Sequence, residues 1–309
     1  MTWPDSRPAE LQPRLTADGS FSLWSEAFQE GFHCGRGALG EAQHTFLAPA
    51  GIEFVAQARS LRVLEVCVGT GTNTAALLEY LSDLAMGMQW WGLELDRRPL
   101  TMALGEVSFR SQWRASSLAV LEQLEQQGHW QNNQSQGQLP WGDAREQLRK
   151  LLPALRGSLD LVLHDAFSPG VCPQLWTMEF LGQLVSLLAP RGRLVSYCSA
   201  AAVRQALRFH GMQLASIHPG PDAPAHQWSN GTVASPAPLV GNQQFAALSE
   251  MEEEHLKTRA AEPYRDPTGM AEAEAIRAER RQAQANSPAT STNGWRKRWQ
   301  ERVSCRNPR

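Results

Sequence analysis

The stretch over residues 61–81 constrains the fold of this chain more than any other part of the sequence. Residues 61–66 form a short run of apolar, branched side chains, which is typical of a strand buried on both faces. Gly69 and Gly71 follow in a turn, where glycine tolerates positive φ and lets a second molecule approach the backbone. From Asn73 the apolar residues recur with the helical period. A strand, a glycine turn and a helix in this order predict the opening of a nucleotide-binding α/β domain.

The glycine turn alone is an incomplete dinucleotide-binding fingerprint, because only two of the three glycines of that motif are present. An acid in the next predicted strand, Met88 to Leu95, strengthens the interpretation. Glu94 lies 25 positions after Gly69, where such folds place the carboxylate that binds ribose hydroxyls. The alternative is a structural turn followed by an unrelated surface acid.

Beyond the second strand, predicted strands and helices continue to alternate, which indicates a parallel sheet covered on both faces. Residues 128–138 are polar and lack apolar periodicity, so we predict an exposed loop there. Further strands are predicted at residues 139–142, 159–164, 193–198, 212–217 and 230–236.

Extensions flank this core, and we divide the chain into an N-terminal extension over residues 1–60, a core over 61–240 and a tail over 241–309. Phe28 and Phe32 are four positions apart and are predicted to lie on one face of a helix that packs on the core. The first part of the tail is rich in Ala, Glu and Arg, which favours helix. Its end is basic, and we expect it to be partly disordered.

The basic end of the tail also contains aromatic residues. Tryptophans and cations interleave in Trp295-Arg296-Lys297-Arg298-Trp299, a pattern suited to RNA phosphates and bases. The alternative is a solvated basic tail with incidental tryptophans.

Composition excludes several classes of protein. With 309 residues, 42% of them hydrophobic, and a net charge of −2, the chain can bury a large core but has no global attraction to nucleic acid. The five cysteines form no CxxC pair and the histidines lack ligand spacing, so we expect reduced thiols, no metal site and a cytoplasmic location. There is no membrane-spanning apolar run or secretory signal, so no membrane partner is expected. The oligomeric state is left open.

Acids stand at the ends of successive predicted strands, where open parallel sheets bind ligands. These acids are Glu65, Glu94, Asp143 and Asp165. Each can be a helix cap instead, and Asp143 is well placed for that role. As a set they suit a ligand with ribose hydroxyls at Glu94, an amine at Asp143 and a positive centre near Asp165. S-adenosylmethionine has all three features.

Longer strings of residues carry a specific resemblance. They are Glu65-x-x-x-Gly69-Thr70-Gly71-x-Asn73, Trp141-Gly142-Asp143, Asp165-Ala166-Phe167-Ser168-Pro169 and Pro173-x-x-Trp176-Thr177. Over roughly residues 15–235 the chain resembles the MnmC methyltransferase domain, in the stand-alone MnmD-type form without a flavin-dependent oxidoreductase domain. That family methylates the aminomethyl group of a modified wobble uridine in tRNA.

The resemblance implies a class I, Rossmann-like S-adenosylmethionine-dependent methyltransferase fold with a mostly parallel, seven-stranded sheet. It implies conversion of 5-aminomethyl-(2-thio)uridine to the 5-methylaminomethyl form, with S-adenosyl-L-methionine as cofactor and tRNA as partner. Asp165 is the implied catalytic residue. The implied cofactor-binding residues are Glu65, Gly69, Gly71, Asn73, Glu94, Asp143 and Asp165, and the implied substrate-binding residues are Phe32, His33, Phe167, Pro169 and Trp176. Taken alone, Trp176 is better interpreted as a core residue.

The sequence departs from the family at two points. Cys67 stands where the family has the first glycine of the loop, and Pro224-Ala225-His226 stands where it tends to have a Lys-Arg pair.

Other functions stay open. An aminopropyltransferase of the spermidine-synthase kind shares the sheet, but such enzymes have a second acid close to the position of Asp165, and here Ala166-Phe167-Ser168-Pro169 follows. A non-catalytic RNA-binding relative and a methyltransferase acting on a small amine or a protein are the further alternatives.

Overall fold

A computed structural model describes residues 10–35, 37–56, 60–220 and 227–306. The predictions for residues 1–9 and for Pro224-Ala225-His226 lie outside these ranges. The strands are β1 (Leu11–Leu15), β2 (Phe21–Ser25), β3 (Glu30–Gly31), β4 (Ser60–Val66), β5 (Gly87–Leu93), β6 (His129–Gln131), β7 (Gln136–Gln138), β8 (Leu159–His164), β9 (Leu188–Ser196), β10 (Gln213–Ile217), β11 (Gly231–Ser235) and β12 (Phe245–Ala247).

Helices cover both faces of the main sheet, which β4 to β12 form. They are α1 (Ala38–Glu41), α2 (Ala48–Ala50), α3 (Ile52–Val55), α4 (Thr72–Asp83), α5 (Arg98–Gly105), α6 (Val107–Arg110), α7 (Ala115–Gln127), α8 (Ala144–Leu155), α9 (Met178–Ser186), α10 (Ala201–Phe209), α11 (Glu250–His255), α12 (Ala273–Asn286) and α13 (Thr292–Arg306). A π-helical segment at Ala42–Leu47 joins α1 to α2, and single 3-10 turns occupy Pro173–Trp176 and Arg259–Ala261.

The main sheet has nine strands within the described residues, in the order β12-β10-β11-β9-β8-β4-β5-β7-β6. Its centre, from β9 to β7, is parallel, and the strands beyond both ends of that block pair antiparallel. The predicted parallel centre is therefore present. The sheet has two more strands than the predicted seven, because β6, β7 and β12 are added at its edges and the strand predicted at residues 139–142 does not form. β12 lies beyond residue 240, the predicted end of the core.

The buried strands alternate their side chains between two apolar layers. On β4, Val63 packs into one layer, with Leu77 of α4, while Leu64 packs into the other, with Leu148 of α8. Each of these four side chains is fully buried. This alternation explains the continuous apolar run in the sequence, because both faces of the strand lie in the core.

The predicted exposed loop at residues 128–138 is wrong. It forms the β6–β7 hairpin, in which Trp130 is buried and Gly137 leaves room for its indole: a Cβ at Gly137 would lie 2.5 Å from Trp130 Nε1. The strand predicted at 139–142 is also misplaced, because β7 ends at Gln138 and only Trp141 forms an isolated bridge, with Glu94.

The N-terminal extension forms a small sheet of β1, β2 and β3. The helix predicted to place Phe28 and Phe32 on one face is wrong, since β3 lies between them. The backbone at Gln29 adopts φ of 51°, which a continuous helix excludes. Both phenylalanines turn instead towards the edge of the main sheet, where they contact Phe167.

The C-terminal segment folds back onto the core through a buried ion pair. Arg204 Nη1 of α10 lies 2.7 Å from Glu252 Oε1 of α11, and both side chains are at most 4% exposed. Helix α13 follows, and Trp295 stacks on His255 with ring centroids 4.2 Å apart. None of the helices in the described ranges is long and apolar enough to cross a membrane.

Candidate functional site

A cavity of about 350 Å³ opens at the carboxyl ends of the parallel strands, where the predicted ligand site lies. The turns after β4, β5 and β8 line it, together with the start of α8 and part of the N-terminal extension. The predicted site residues among its lining are Phe32, His33, Gly69, Asn73, Glu94, Asp143, Asp165 and Phe167. The cavity thus brings together residues that the sequence separates widely.

The turn after β4 places its backbone against the cavity. Gly69 has φ of 57°, and a Cβ there would lie 3.2 Å from the ring of Phe32. Cys67 also has a positive φ, of 65°, a conformation that costs a residue with a Cβ about 1–2 kcal/mol. This geometry is the physical reason why a glycine suits the position, and here Cys67 adopts it and lines the cavity.

Asp165, directly after β8, is the acid that faces the middle of the site. Its Oδ2 accepts a hydrogen bond from Asn73 Nδ2 at 2.8 Å, and its backbone N–H donates to Val66 O. Burial raises the pKa of Asp165 well above its usual value, and the negative charge of Glu41 raises this pKa further. A positive charge placed in the cavity has the opposite effect, because it favours the ionised carboxylate.

Glu94 directly follows β5 and contacts the backbone of the glycine turn. Its Oε2 accepts the N–H of Gly69 at 2.9 Å, and its Oε1 accepts the N–H groups of Leu95 and Asp96. Burial raises the pKa of this carboxyl, while those three backbone donors lower it. The backbone N–H groups of Gly69, Leu95 and Asp96 therefore hold this carboxylate at the cavity.

Asp143 is a helix cap as well as a cavity residue. Its Oδ1 accepts the N–H of Arg145 at the start of α8, and its Oδ2 accepts Arg145 Nη2 at 2.8 Å. Arg145 in turn donates to Asp266, 121 positions along the chain and almost fully buried, and to Ala271 O. A segment of the C-terminal tail thereby holds one wall of the cavity.

Three predicted residues sit behind the cavity wall. Glu65 is fully buried, and its Oε2 accepts the Thr74 hydroxyl and the Trp90 indole N–H. Trp176 is 1% exposed and packs edge-on against His164, so its position matches the core interpretation. Pro169 is buried in the loop after Asp165. Gly71, the fourth predicted residue outside the lining, opens α4 with φ of 80°.

An aromatic wall faces the acids. Phe28 stacks on Phe167 with ring centroids 4.4 Å apart, and Phe32 meets Phe167 edge-on at 5.1 Å. His33 lies beside them, and its Nδ1 is 3.0 Å from the Ser22 hydroxyl. Burial lowers the pKa of His33 to about 4, so its imidazole is neutral at neutral pH.

The sequence-based site missed two further acids. Glu30 and Glu41, both from the N-terminal extension, line the cavity near Asp165. Glu30 accepts the Ser168 N–H at 2.9 Å and also its hydroxyl, which ties the loop after Asp165 to the extension. Only the general likeness of this extension to that of the resembling family hinted at a role for it. Within the described ranges, no group of His, Cys, Asp or Glu is arranged to hold a metal ion.

Comparison with known proteins agrees with this geometry. Residues 109–221 match the model of a family described as S-adenosyl-L-methionine-dependent methyltransferase. An uncharacterized protein of Methanocaldococcus jannaschii is 30% identical over 194 residues, which is 62% of this chain and 51% of that protein. The tRNA 5-methylaminomethyl-2-thiouridine biosynthesis bifunctional protein MnmC of Aromatoleum aromaticum is 29% identical over 218 residues, which is 66% of this chain and 32% of that protein.

The fold is also found in a solved structure. The crystal structure of MnmC2 from Aquifex aeolicus superimposes with a TM-score of 0.76 at 24% identity and covers 92% of this chain and 88% of that one. This match confirms the predicted fold class. The chain spans about half of the Methanocaldococcus protein and about a third of the Aromatoleum protein.

Proposed function

We propose that this chain is an S-adenosyl-L-methionine-dependent methyltransferase and that it methylates the aminomethyl group of a modified wobble uridine in tRNA. The match of residues 109–221 to a family described as S-adenosyl-L-methionine-dependent methyltransferase supports the cofactor and the enzyme class. The product is the 5-methylaminomethyl nucleoside. The observation that carries the proposal is Asp165, a half-buried carboxyl that lines the cavity together with an aromatic wall and two further acids. The similarity to MnmC proteins supports the choice of substrate.

The residues present fit the cofactor. Carboxylates suit a ligand that carries a sulfonium and an ammonium group, and among the described residues no arginine or lysine forms an ion pair with Asp165 or Glu94. Glu94 would hold the ribose hydroxyls and Asn73 the methionine end. When bound, the cofactor supplies a methyl group on an already activated leaving group.

The chain's own contribution is to position the acceptor amine and take its proton. An aminomethyl group is mostly protonated near neutral pH, so Asp165 must orient it and accept a proton from it before or during attack. Its hydrogen bond from Asn73 fixes the carboxylate plane. Positioning supplies most of the acceleration, because the reacting atoms are held in attack geometry.

The aromatic wall suits a base that is turned out of the RNA. Phe28, Phe32 and Phe167 present ring surfaces beside Asp165, and single-stranded RNA bases are recognised by stacking on such side chains. A wobble base lies in the single-stranded anticodon loop, so it can enter a pocket without opening a duplex. tRNA is therefore the proposed partner, and a cytoplasmic location follows from that substrate.

The experiment is a nucleoside analysis. The protein is incubated with S-adenosylmethionine labelled in its methyl group and with tRNA bearing 5-aminomethyl-2-thiouridine. Digestion should release labelled 5-methylaminomethyl-2-thiouridine, and tRNA with an unmodified wobble uridine should stay unlabelled. Cofactor binding without label in any nucleoside would overturn the proposal.

One observation favours a second candidate, aminopropyl transfer. Polyamine enzymes hold substrate ammonium groups with extra acids, and Glu30 and Glu41 supply such acids from the N-terminal extension. Incubation with putrescine and decarboxylated S-adenosylmethionine, followed by polyamine analysis, separates the two activities. Spermidine formation would favour the second candidate over the first.

A further inference from the structure

Side chains from separate parts of the fold hold residues 165–169, the Asp165 loop, in place. The hydroxyl of Tyr197, the residue after β9, donates to Ala166 O at 2.8 Å. The Trp176 indole N–H donates to Phe167 O, also at 2.8 Å. Two consecutive peptide groups after the proposed catalytic residue are therefore fixed by side chains from outside the loop.

Glu30 of β3 holds the next residue of the loop, Ser168, from the N-terminal extension. Its Oε2 accepts the Ser168 N–H at 2.9 Å, and its Oε1 accepts the Ser168 hydroxyl. Two charge-assisted hydrogen bonds to one carboxylate fix the orientation of the bound residue as well as its position. This contact therefore joins the N-terminal extension to the loop that begins with Asp165.

The backbone just before Glu30 has an unusual conformation. Gln29 has φ of 51°, which residues other than glycine rarely adopt. The Gln29 side chain donates to Glu26 O at 3.0 Å and stabilises the turn between β2 and β3. Glu30 then pairs with Ser25 of β2. A strained residue that its surroundings maintain in this way is typical of segments that position a functional group.

The β2–β3 hairpin also holds the aromatic wall. Phe28 stacks on Phe167 with ring centroids 4.4 Å apart. The hairpin therefore contacts two consecutive residues of the Asp165 loop, one by stacking and the next by hydrogen bonds. Loss of Glu30 would detach the Ser168 end of the loop from the extension. The Phe167 ring and the Asp165 carboxylate would then lose part of the support that fixes their positions.

Glu30 also lines the cavity, so direct binding of a positive substrate group is the alternative role. Both of its carboxylate oxygens already accept hydrogen bonds from Ser168. The two roles differ in what they require. Binding a cation requires the negative charge, whereas holding Ser168 requires only matching hydrogen-bonding groups. Glutamine supplies such groups, because its amide oxygen accepts the N–H and its NH₂ donates to the hydroxyl oxygen.

We propose that Glu30 is a positioning residue, which holds the Asp165 loop so that Asp165 and Phe167 face the acceptor. The hydrogen bonds of Glu30, rather than its charge, perform this role. The inference rests on the proposed function for the identity of the acceptor. The contact between Glu30 and Ser168 does not depend on the substrate.

The test compares Glu30→Ala and Glu30→Gln with the wild type in methyl transfer to the aminomethyl-uridine tRNA. Misplacing reacting groups by about 1 Å costs up to about 10²-fold in rate, so kcat of Glu30→Ala should fall by about 10–100-fold. The KM for tRNA should stay within about threefold of the wild type, because tRNA contacts outside the loop remain. The kcat of Glu30→Gln should stay within about threefold of the wild type.

The matched control is Glu26→Ala. Glu26 is exposed on the same hairpin, and its side chain accepts hydrogen bonds from Gln12 and Gln29 rather than from the Asp165 loop. The kcat of this control should match the wild type. An equal loss in Glu30→Gln and Glu30→Ala would show that the charge acts directly and would overturn the inference. An equal loss in Glu26→Ala would also overturn it, because any change in the hairpin would then suffice.

Ser168→Ala approaches the contact from the other side and keeps the inference testable if Glu30→Ala fails to fold. It removes one of the two hydrogen bonds and should lower kcat several-fold. Where Glu30→Ala folds, adding Ser168→Ala to it should cause no further loss, because both substitutions act through one contact. Wild-type kcat in Ser168→Ala, or additive losses in the double variant, would contradict the proposed role.

Amide hydrogen exchange of peptides spanning residues 166–172 measures the contact without methyl transfer. These peptides should exchange faster in Glu30→Ala than in the wild type, and at the wild-type rate in Glu30→Gln and Glu26→Ala. Unchanged exchange in Glu30→Ala would refute the inference whatever the activity. A wild-type protein that transfers no methyl group to the tRNA would refute the proposed function instead, and the exchange rates would still decide whether Glu30 holds the loop.

Discussion

Two regions of this molecule bury charged side chains in opposite ways. Arg204 and Glu252 are buried as a pair, and Arg204 also donates to Thr232, Ser229 and the carbonyl of Gly231. At the rim of the cavity, Asp165 is half-buried with an amide donor, Asn73, as its hydrogen-bond partner. Within the described ranges no cation forms an ion pair with it.

The difference indicates what each region is for. A buried ion pair with all its donors satisfied fixes the relative position of two elements, here α10 and α11. A half-buried carboxyl that has no cation partner and a raised pKa marks a ligand site, because a cation that arrives from outside favours its ionised form. Substitutions in the two regions should therefore separate stability from activity.

The largest effect is expected at Asp165. Asp165→Asn keeps the volume and an acceptor for Asn73 but removes the proton acceptor, so methyl transfer to the aminomethyl-uridine tRNA should fall by about 10²–10⁴-fold. Single-turnover assays measure this loss, and calorimetry should show S-adenosylhomocysteine affinity within about tenfold of the wild type.

Asp160→Asn is the matched control, because Asp160 lies at the opposite end of the same strand and accepts the backbone N–H of Arg62. Turnover per folded molecule should be unchanged in Asp160→Asn. Equal loss in both variants, or full activity of Asp165→Asn, would remove Asp165 from the proposed mechanism.

The second effect is on stability. Glu252→Ala leaves Arg204 buried without its counter-ion and should lower the free energy of unfolding by about 3–5 kcal/mol. Guanidinium unfolding measures it. The control is Glu253→Ala, whose partner Arg208 is 39% exposed, and which should cost about 1 kcal/mol or less. A similar loss of unfolding free energy in the two variants would contradict the stabilising role of the buried Arg204–Glu252 pair.

The third effect depends on pH and concerns Glu65. Burial raises the pKa of Glu65 from 4.5 to about 7, although the Thr74 hydroxyl and the Trp90 indole lower it in part. The folded protein therefore holds this proton more tightly than the unfolded chain. The stability from neutral Glu65 is fully present below pH 4.5 and is lost as the pH rises to about 7.

Glu65→Gln should remove that loss. The difference in unfolding free energy between variant and wild type should shift in favour of the variant by on the order of 3 kcal/mol between pH 4.5 and pH 8. Guanidinium unfolding across this range measures it. Parallel pH profiles of the two proteins would show that Glu65 titrates normally in the folded state.

The sequence predicted best what is local. The unit from β4 to α4, with Gly69 and Asn73, depends on residues close together in the chain, and so do the strand-end acids. The partners of this unit come from far away: Glu30 reaches Ser168 across 138 positions and Arg145 reaches Asp266 across 121. Such pairings depend on how whole elements dock, which periodicity does not encode. The hairpin at residues 128–138 was missed for a similar reason, because its strands are short and polar outside one buried tryptophan.

The smallest effect concerns the basic end of the tail, where the structure separates its tryptophans from its cations. Trp295 is 6% exposed, and its indole N–H donates to Met251 O, so it packs against the core rather than facing RNA. Arg296 and Lys297 are exposed on the same helix. Deleting the tail would remove the packed Trp295 and the exposed cations together. Substituting only Arg296 and Lys297 tests the cations while Trp295 stays in place.

Replacing Arg296 and Lys297 by alanine should weaken tRNA binding several-fold and reduce the slope of log affinity against log salt by about 1.5, since two phosphate contacts are lost. The matched control is the same pair of residue types on α8, Arg149→Ala with Lys150→Ala, which are also exposed. Filter binding at several salt concentrations measures both slopes. An unchanged slope for the tail variant would mean that these cations are only solvated, and that tRNA is held at the cavity and its rim.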